Sequence, residues 1–125
     1  MDGVVAADVQ EEIMDFASEV KVLKPSVLLA TLKGVLDAGT AIQFEMAVSG
    51  HLKDPTILNV ILDVPGLTFV SSSGLRVLMI IIKALGPKNG KLFMVGATPQ
   101  VIGLIKMSGM TRWIHLRDSI QECEL

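Results

Sequence analysis

Three consecutive serines at positions 71–73 place three hydroxyl groups next to one another, where they could serve as helix caps, phosphate acceptors or nucleophiles. They stand just before a long apolar run that predicts a helix, and the first turn of a helix has unpaired backbone N–H groups and a partial positive charge. Hydroxyl oxygens suit that position as caps, and phosphate oxygens suit it better. The serines therefore predict either a polar turn with a redundant cap or a seryl switch, in which phosphorylation adds nearly two negative charges.

A serine nucleophile is a third chemistry that these residues could support. It would need a neighbouring base and an orienting acid, and its usual strand-to-helix signature is Gly-x-Ser-x-Gly. That signature is absent from the sequence. His51 ends a predicted helix and His115 lies in a predicted strand, where a lone histidine is more often structural. An enzyme is therefore the least favoured interpretation.

The sequence shows no pattern that predicts a metal or a cofactor. One cysteine and two isolated histidines have no ligand spacing. Neither nucleotide-binding glycine motif occurs, and the glycine-containing segment 86–90 precedes a predicted strand, whereas a phosphate cradle should precede a helix. We expect no metal, and no residue predicts a nucleotide.

Composition limits the size and the setting of the protein. The chain has 125 residues, half of them hydrophobic, which suits one well-buried core. The net charge of −2 gives no reason to expect nucleic-acid binding. The single cysteine indicates a reducing compartment, and the longest apolar run, 77–82, is far too short to span a membrane. We expect a soluble, cytoplasmic protein with no membrane insertion.

The first half of the chain predicts a leader, a hairpin and a helix. Residues 1–17 form an acidic leader without Lys or Arg, and residues 18–125 form the domain. Two β-prone runs flank Lys24-Pro25-Ser26 and predict a hairpin. Asp37 can cap a helix over 38–51. Its apolar stripe is Ala41, Phe44, Val48 and Leu52, with Ile42 and Met46 beside it.

The second half alternates strands and helices. Strands are predicted over 57–63, 92–95 and 113–116, with Pro65-Gly66 breaking the first of them. Helices are predicted over 73–85 and from Thr98 to Gly109, and Asp118 is expected to cap a final short helix. This alternation implies a single small α/β domain with a mixed, mostly parallel sheet and helices packed on it.

The helix that follows the serines has more apolar surface than one sheet contact needs. Placed at 100° steps, Leu75, Leu78, Met79, Ile82 and Leu85 form the face expected on the sheet. Ile80 falls on another face, between Arg76 and Lys83. Val77, Ile81 and Ala84 flank it, so this surface is covered by neighbouring helices or serves as a docking surface.

Five segments, in order and spacing, resemble the STAS family of bacterial anti-sigma factor antagonists. They are 33–37, a strand that ends at Asp63, 69–75, Gly90-Lys91 before a strand, and 107–110. The resemblance covers roughly residues 18–125. It implies the mixed sheet already inferred, no catalytic activity and no cofactor. It also implies partner switching, in which the unphosphorylated antagonist binds a serine-kinase anti-sigma factor and so frees the sigma factor.

Site residues follow from the same resemblance. The kinase would phosphorylate Ser72 and so release the antagonist, and a serine phosphatase would reset the cycle. Ser73 would cap the helix, Gly74 would permit close approach and Leu75 would anchor the helix. Ser71 stands where the family usually has Asp, so it offers a competing hydroxyl in place of a carboxylate.

The predicted partner-binding surface extends beyond the acceptor. It comprises Ser71, Ser72, Ser73, Gly74, Arg76, Ile80 and Lys83, with Ser71 and Ser73 as alternative acceptors. Related domains also serve as non-phosphorylated adaptors, so the alternative is a scaffold subunit of a signalling or transport assembly. A stable complex that forms regardless of phosphorylation would favour that alternative.

Overall fold

The computed structural model describes residues 16–125. Its elements are β1 (Ala17–Lys24), β2 (Val27–Leu36), α1 (Ala38–Lys53), β3 (Asn59–Val70), α2 (Ser72–Leu85), β4 (Leu92–Val95), α3 (Pro99–Met107) and β5 (Ile114–Arg117), with 3₁₀ turns at Gly86–Lys88, Met110–Arg112 and Ile120–Glu122. Nearly all of the acidic leader lies outside the described residues. None of the helices in the described part of the chain has the length and apolar character needed to cross a membrane.

The five strands form one sheet in the order β1-β2-β3-β4-β5. β1 and β2 are antiparallel, whereas β2, β3, β4 and β5 are parallel neighbours. The predicted hairpin and the mixed, mostly parallel sheet are both confirmed. Because parallel strands share a direction, the carboxyl ends of β2 and β3 meet at one edge, where the N–H of Ser71 donates to the carbonyl of Leu36 (2.9 Å).

All three helices pack on one face of the sheet. Alternate residues of the strands, such as Leu62 and Met94, point into this main core together with Phe44 of α1 and Ile81 of α2. The second face has a smaller apolar cluster, which Ile120 and Cys123 of the C-terminal segment cover in part. The members of that cluster are Val27, Leu29, Ile61, Phe93 and Val95.

Helix α1 follows its sequence pattern closely. Its buried residues are Ala41, Phe44, Val48 and Leu52, which is the predicted stripe. Asp37 caps it, because its carboxylate accepts from the backbone N–H of Gly39 and of Thr40, each at 3.1 Å. The Thr40 hydroxyl in turn accepts from the N–H of Asp37 at 2.8 Å, which completes a capping box.

Strand β3 differs from its prediction, because Pro65-Gly66 does not end it. The strand continues to Val70 and pairs with β2 through Lys33↔Gly66. Pairing with β4 stops at Asp63, so the later part of β3 has a free edge on that side. A proline lacks an N–H and is tolerated at such an edge or beside an irregular register. A register shift next to Lys33 provides that irregularity.

The chain after β4 confirms some predicted boundaries and corrects one. Thr98 caps α3 through the N–H of Val101 (3.2 Å), and Gly109 adopts a φ of 78°, as predicted. Asp118 does not cap the last segment. That segment is a single 3₁₀ turn preceded by Ser119, and the N–H of Asp118 donates to Glu122 at 3.0 Å.

Candidate functional site

The serine turn joins the end of β3 to the start of α2. Ser71 has extended backbone angles (φ −83°, ψ 176°) and is the residue before the helix. Its side-chain oxygen accepts from the N–H of Gly74 at 3.3 Å, and its carbonyl accepts from the N–H of Leu75 at 2.9 Å. Ser71 is therefore the helix cap, and its hydroxyl is occupied in that role.

The cap differs from the one predicted. Because the helix begins at Ser72, one residue earlier than the sequence indicated, Ser73 lies inside the first turn and cannot cap it. Ser72 is exposed, and Ser73 is half-buried. Among the described residues, neither hydroxyl has a hydrogen-bond partner, so Ser72 presents the most accessible free oxygen of the turn.

Gly74 is buried directly beneath the turn. A Cβ at this position would lie 2.8 Å from Val70 Cγ1 and 2.9 Å from the carbonyl oxygen of Leu36. Such distances are shorter than real side chains adopt, so the absence of a side chain lets α2 start against the ends of β2 and β3. The close approach that Gly74 permits is therefore between helix and sheet, and Gly74 is not a surface contact residue.

An ion pair links α1 and α2 next to the serines. Arg76 Nη2 lies 3.4 Å from Glu45 Oε1, and the two side chains are 66% and 35% exposed. The pair borders a groove of about 190 Å³, which is smaller than the usual pocket for a small molecule. The groove residues are Ala38, Ala41, Ile42, Glu45, Ser73, Arg76 and Val77.

Exposed apolar surface near the turn comes from Phe69 of β3, which is 46% exposed, and from Ile42 of α1, whereas only a part of α2 contributes. Val77 and Ile81, which were candidates for a docking surface, are 1% and 0% exposed, because α1 packs against this side of α2. Ile80 is half-buried and Lys83 is exposed. The predicted sheet face of α2 also changes, since Leu75, Met79 and Ile82 pack on the core without being fully buried.

Two residues of α1 were not among the predicted contact residues. Ile42 is 59% exposed and Met46 is 73% exposed, one helical turn apart. Their position beside the buried stripe is visible in the sequence, but the groove that Ile42 shares with Ser73 depends on how α1 packs against α2. Glu45 was missed for the same reason, since its partner Arg76 is 31 residues away in the chain.

Neither histidine belongs to the serine turn. His51 lies in the last turn of α1, roughly 20 Å along the helix from the first turn that borders the groove. His115 lies in β5, with its ring centroid 5.5 Å from that of Phe93 on the second face of the sheet. Burial lowers the pKa of His115, and the charges of Lys91 and Arg117 lower it further.

Similarity to known proteins decides the family. Residues 18–123 match the family model described as the STAS domain. The chain belongs to this family. A match of that length includes every strand and helix of the described structure except the first residue of β1.

Two relatives of this chain have names that concern anti-sigma factors. BtrV of Bordetella bronchiseptica, named a candidate anti-sigma factor antagonist, is 32% identical over 66% of this chain and 71% of its own length. The anti-sigma F factor antagonist of Paenibacillus polymyxa is 28% identical over 74% of this chain and 80% of its own.

Solved structures of a third protein share the fold. The unphosphorylated form of the anti-sigma factor antagonist SpoIIAA matches with a TM-score of 0.71 and 17% identity, covering 85% of this chain and 92% of that one. Its phosphorylated form, from Bacillus, matches with a TM-score of 0.69 and 19% identity, covering 85% and 95%. The five-stranded mixed sheet with three helices is thus a STAS fold.

Proposed function

We propose that this STAS domain chain is an anti-sigma factor antagonist that works by partner switching. In the unphosphorylated state it binds a serine-kinase anti-sigma factor and frees the sigma factor. The kinase then transfers the γ-phosphoryl group of ATP to Ser72 Oγ, which loses its proton as ADP leaves, and the modified antagonist is released. A serine phosphatase would hydrolyse the phosphoserine and restore binding, all within the cytoplasm, where ATP is available.

One observation carries the proposal: an exposed hydroxyl with no hydrogen-bond partner in the described structure stands at the first residue of a helix whose inner side is buried. A helix start tolerates a phosphoryl group, because its partial positive charge and free N–H groups favour anions. A doubly charged group is therefore compatible with the folded domain. It is much less compatible with a closely packed protein interface.

The free-energy cost of placing the phosphoryl charge in the interface explains why the antagonist is released from its partner. A phosphoryl group carries nearly two negative charges, so part of its charge stays unpaired even beside one arginine. An unpaired charge that is partly removed from water at an interface costs several kcal/mol, and each 1.4 kcal/mol weakens binding about tenfold. A loss of about 3 kcal/mol would therefore reduce affinity about 100-fold. A single modification of Ser72 is sufficient for a switch of that size.

Ser72 is favoured over its neighbours by the local geometry. The Ser71 hydroxyl is already engaged as the helix cap, whereas the Ser72 hydroxyl has no partner in the described structure. Ser73 is half-buried beside the groove. A serine in the usual Asp position also preserves the turn here, because Asp and Ser are both good helix caps. The change at Ser71 therefore leaves the acceptor position intact.

The proposed partner surface is centred on the serines and Arg76. Gly74 contributes beneath it, by packing. Ile80 and Lys83 remain predicted contacts on one side, and the groove adds a second side on α1 with the exposed Ile42. The domain has no catalytic role in this proposal, because the kinase catalyses the transfer and ATP supplies the phosphoryl group.

The test combines the chain with its cognate serine kinase and ATP, followed by mapping of the phosphate by mass spectrometry. We expect modification of the parent at Ser72 and none of Ser72→Ala. Ser73→Ala is the matched control, since it removes the neighbouring hydroxyl and should leave phosphorylation intact. Absence of phosphate from 71–73 together with stable kinase binding would reject the switch in favour of a constitutive scaffold.

A further inference from the structure

The Arg76–Glu45 ion pair is held by one contact. The two atoms are 3.4 Å apart, and Arg76 is mostly exposed, so water and salt compete with the pair. Exposed pairs of this kind contribute little to stability. A stronger anion close to Arg76 would therefore displace Glu45 at small cost.

A phosphoryl group on Ser72 would be an anion of this kind, because Ser72 lies next to Arg76 on the surface of α2. Arg76 follows Ser72 by four residues, and residues at this spacing are adjacent on a helix surface. A guanidinium group presents several N–H donors in a fork that matches phosphoryl oxygens, and bonds between two ionised groups are the stronger kind. The backbone N–H groups of Ser72 and Ser73 have no acceptor in the described structure, which adds donors at the same end of the helix.

We propose that Arg76 is the positioning residue of the phosphorylated turn: when Ser72 carries a phosphoryl group, the Arg76 guanidinium leaves Glu45 and binds the phosphoryl oxygens. The inference rests on the proposed function only in taking Ser72 as the acceptor. The exchange frees the Glu45 carboxylate at the groove edge beside Ile42. Phosphorylation of Ser72 on α2 thus leaves an unpaired negative charge at the edge of the groove on α1, although α1 itself is not modified.

The test needs no kinase, because phosphoserine can be incorporated at position 72 by genetic encoding. The pKa of the second phosphate ionisation, near 6 in the free residue, is then followed by ³¹P NMR. A bound guanidinium favours the dianion, so Arg76→Gln should raise this pKa by about 0.3 pH unit, the size expected for an exposed i, i+4 ion pair. Arg76→Lys should restore part of the difference. Lys83→Gln, which removes an exposed cation from the same helix, should leave the pKa unchanged.

Glu45→Gln tests the exchange itself. Without its competitor, Arg76 binds the phosphate more fully, so the pKa should fall below that of the parent. In the Arg76→Gln background the same change should have little effect, because Glu45 then has no partner to release. An unchanged pKa in Arg76→Gln, or an undiminished Glu45 effect in that background, would overturn the inference. Failure of the kinase to modify Ser72 would reject the proposed function without altering this titration.

Discussion

The side-chain oxygen of Ser71 accepts a hydrogen bond from the backbone N–H of Gly74, with 3.3 Å between the two atoms. This contact assigns separate tasks to Ser71 and Ser72. Ser71 secures the helix start, and Ser72 keeps an exposed oxygen with no protein partner in the described structure. A helix cap and a modification site can then coexist on adjacent residues.

Loss of this cap should destabilise the domain. Ser71→Ala removes the acceptor for the Gly74 N–H, and we expect the free energy of unfolding to fall by about 1 kcal/mol. Ser71→Asp restores an acceptor and should retain most of the stability. Urea unfolding measures both. Equal stability of the alanine variant and the parent would show that the contact contributes nothing.

Gly74→Ala should be more damaging, because its methyl group would meet Val70 and the backbone of β2 at less than 3 Å. Overpacking of this kind costs about 1–3 kcal/mol. Gly103→Ala in α3 is the matched control, since nothing lies within 4 Å of its added methyl group. Alanine is the better helix former, so the control should gain about 0.5–1 kcal/mol. Thermal or urea unfolding of the two variants should give opposite signs.

Lys88 ties the end of α1 to the loop that follows it. Its Nζ donates to the carbonyl oxygens of Leu52, Asp54 and Ile57 at 3.0, 2.9 and 2.9 Å. Hydrogen bonds from a charged group contribute about 1.5–3 kcal/mol. Lys88→Met should therefore lower the free energy of unfolding by about 2 kcal/mol, whereas Lys106→Met, at an exposed position, should be nearly neutral. A neutral result for Lys88→Met would mean that water replaces the ammonium group without loss.

His115 should make stability depend on pH. Burial lowers the pKa of His115 from its ordinary value of 6.5, so the unfolded chain takes up the proton more readily than the folded one. Stability should therefore be complete above pH 6.5 and decrease as the pH falls below it. Replacement by Gln removes the titrating group, and the urea midpoint of His115→Gln should lose less between pH 7.5 and 5.5. A steeper loss in the variant would contradict this assignment.

Local patterns predicted much of the fold. The buried stripe of α1 and the Thr98 cap could be placed because caps and helical spacing depend on residues close in sequence. Strand β3 was predicted too short, because a proline normally ends a strand. Whether it does so depends on where the neighbouring strand stops, which is a property of the sheet.

The candidate site could be predicted in part. The serines stand at a strand-to-helix junction that the sequence shows, but the helix begins at Ser72, so its cap is Ser71 and not Ser73, which the resemblance implied. The Arg76–Glu45 pair and the three carbonyls around Lys88 bring together groups about 30 residues apart. Val77 and Ile81 were ambiguous for the same reason, because only the packing of α1 on α2 decides which apolar side is covered.

The decisive measurement is the affinity of the purified serine-kinase anti-sigma factor for the chain with and without phosphoserine incorporated at position 72, by titration calorimetry in one buffer. A chain with phosphoserine at position 73 is the positional control. The partner-switching mechanism predicts an affinity at least about 100-fold weaker for the form modified at 72, and a smaller loss for the control. Equal affinities of the modified and unmodified chains would contradict it.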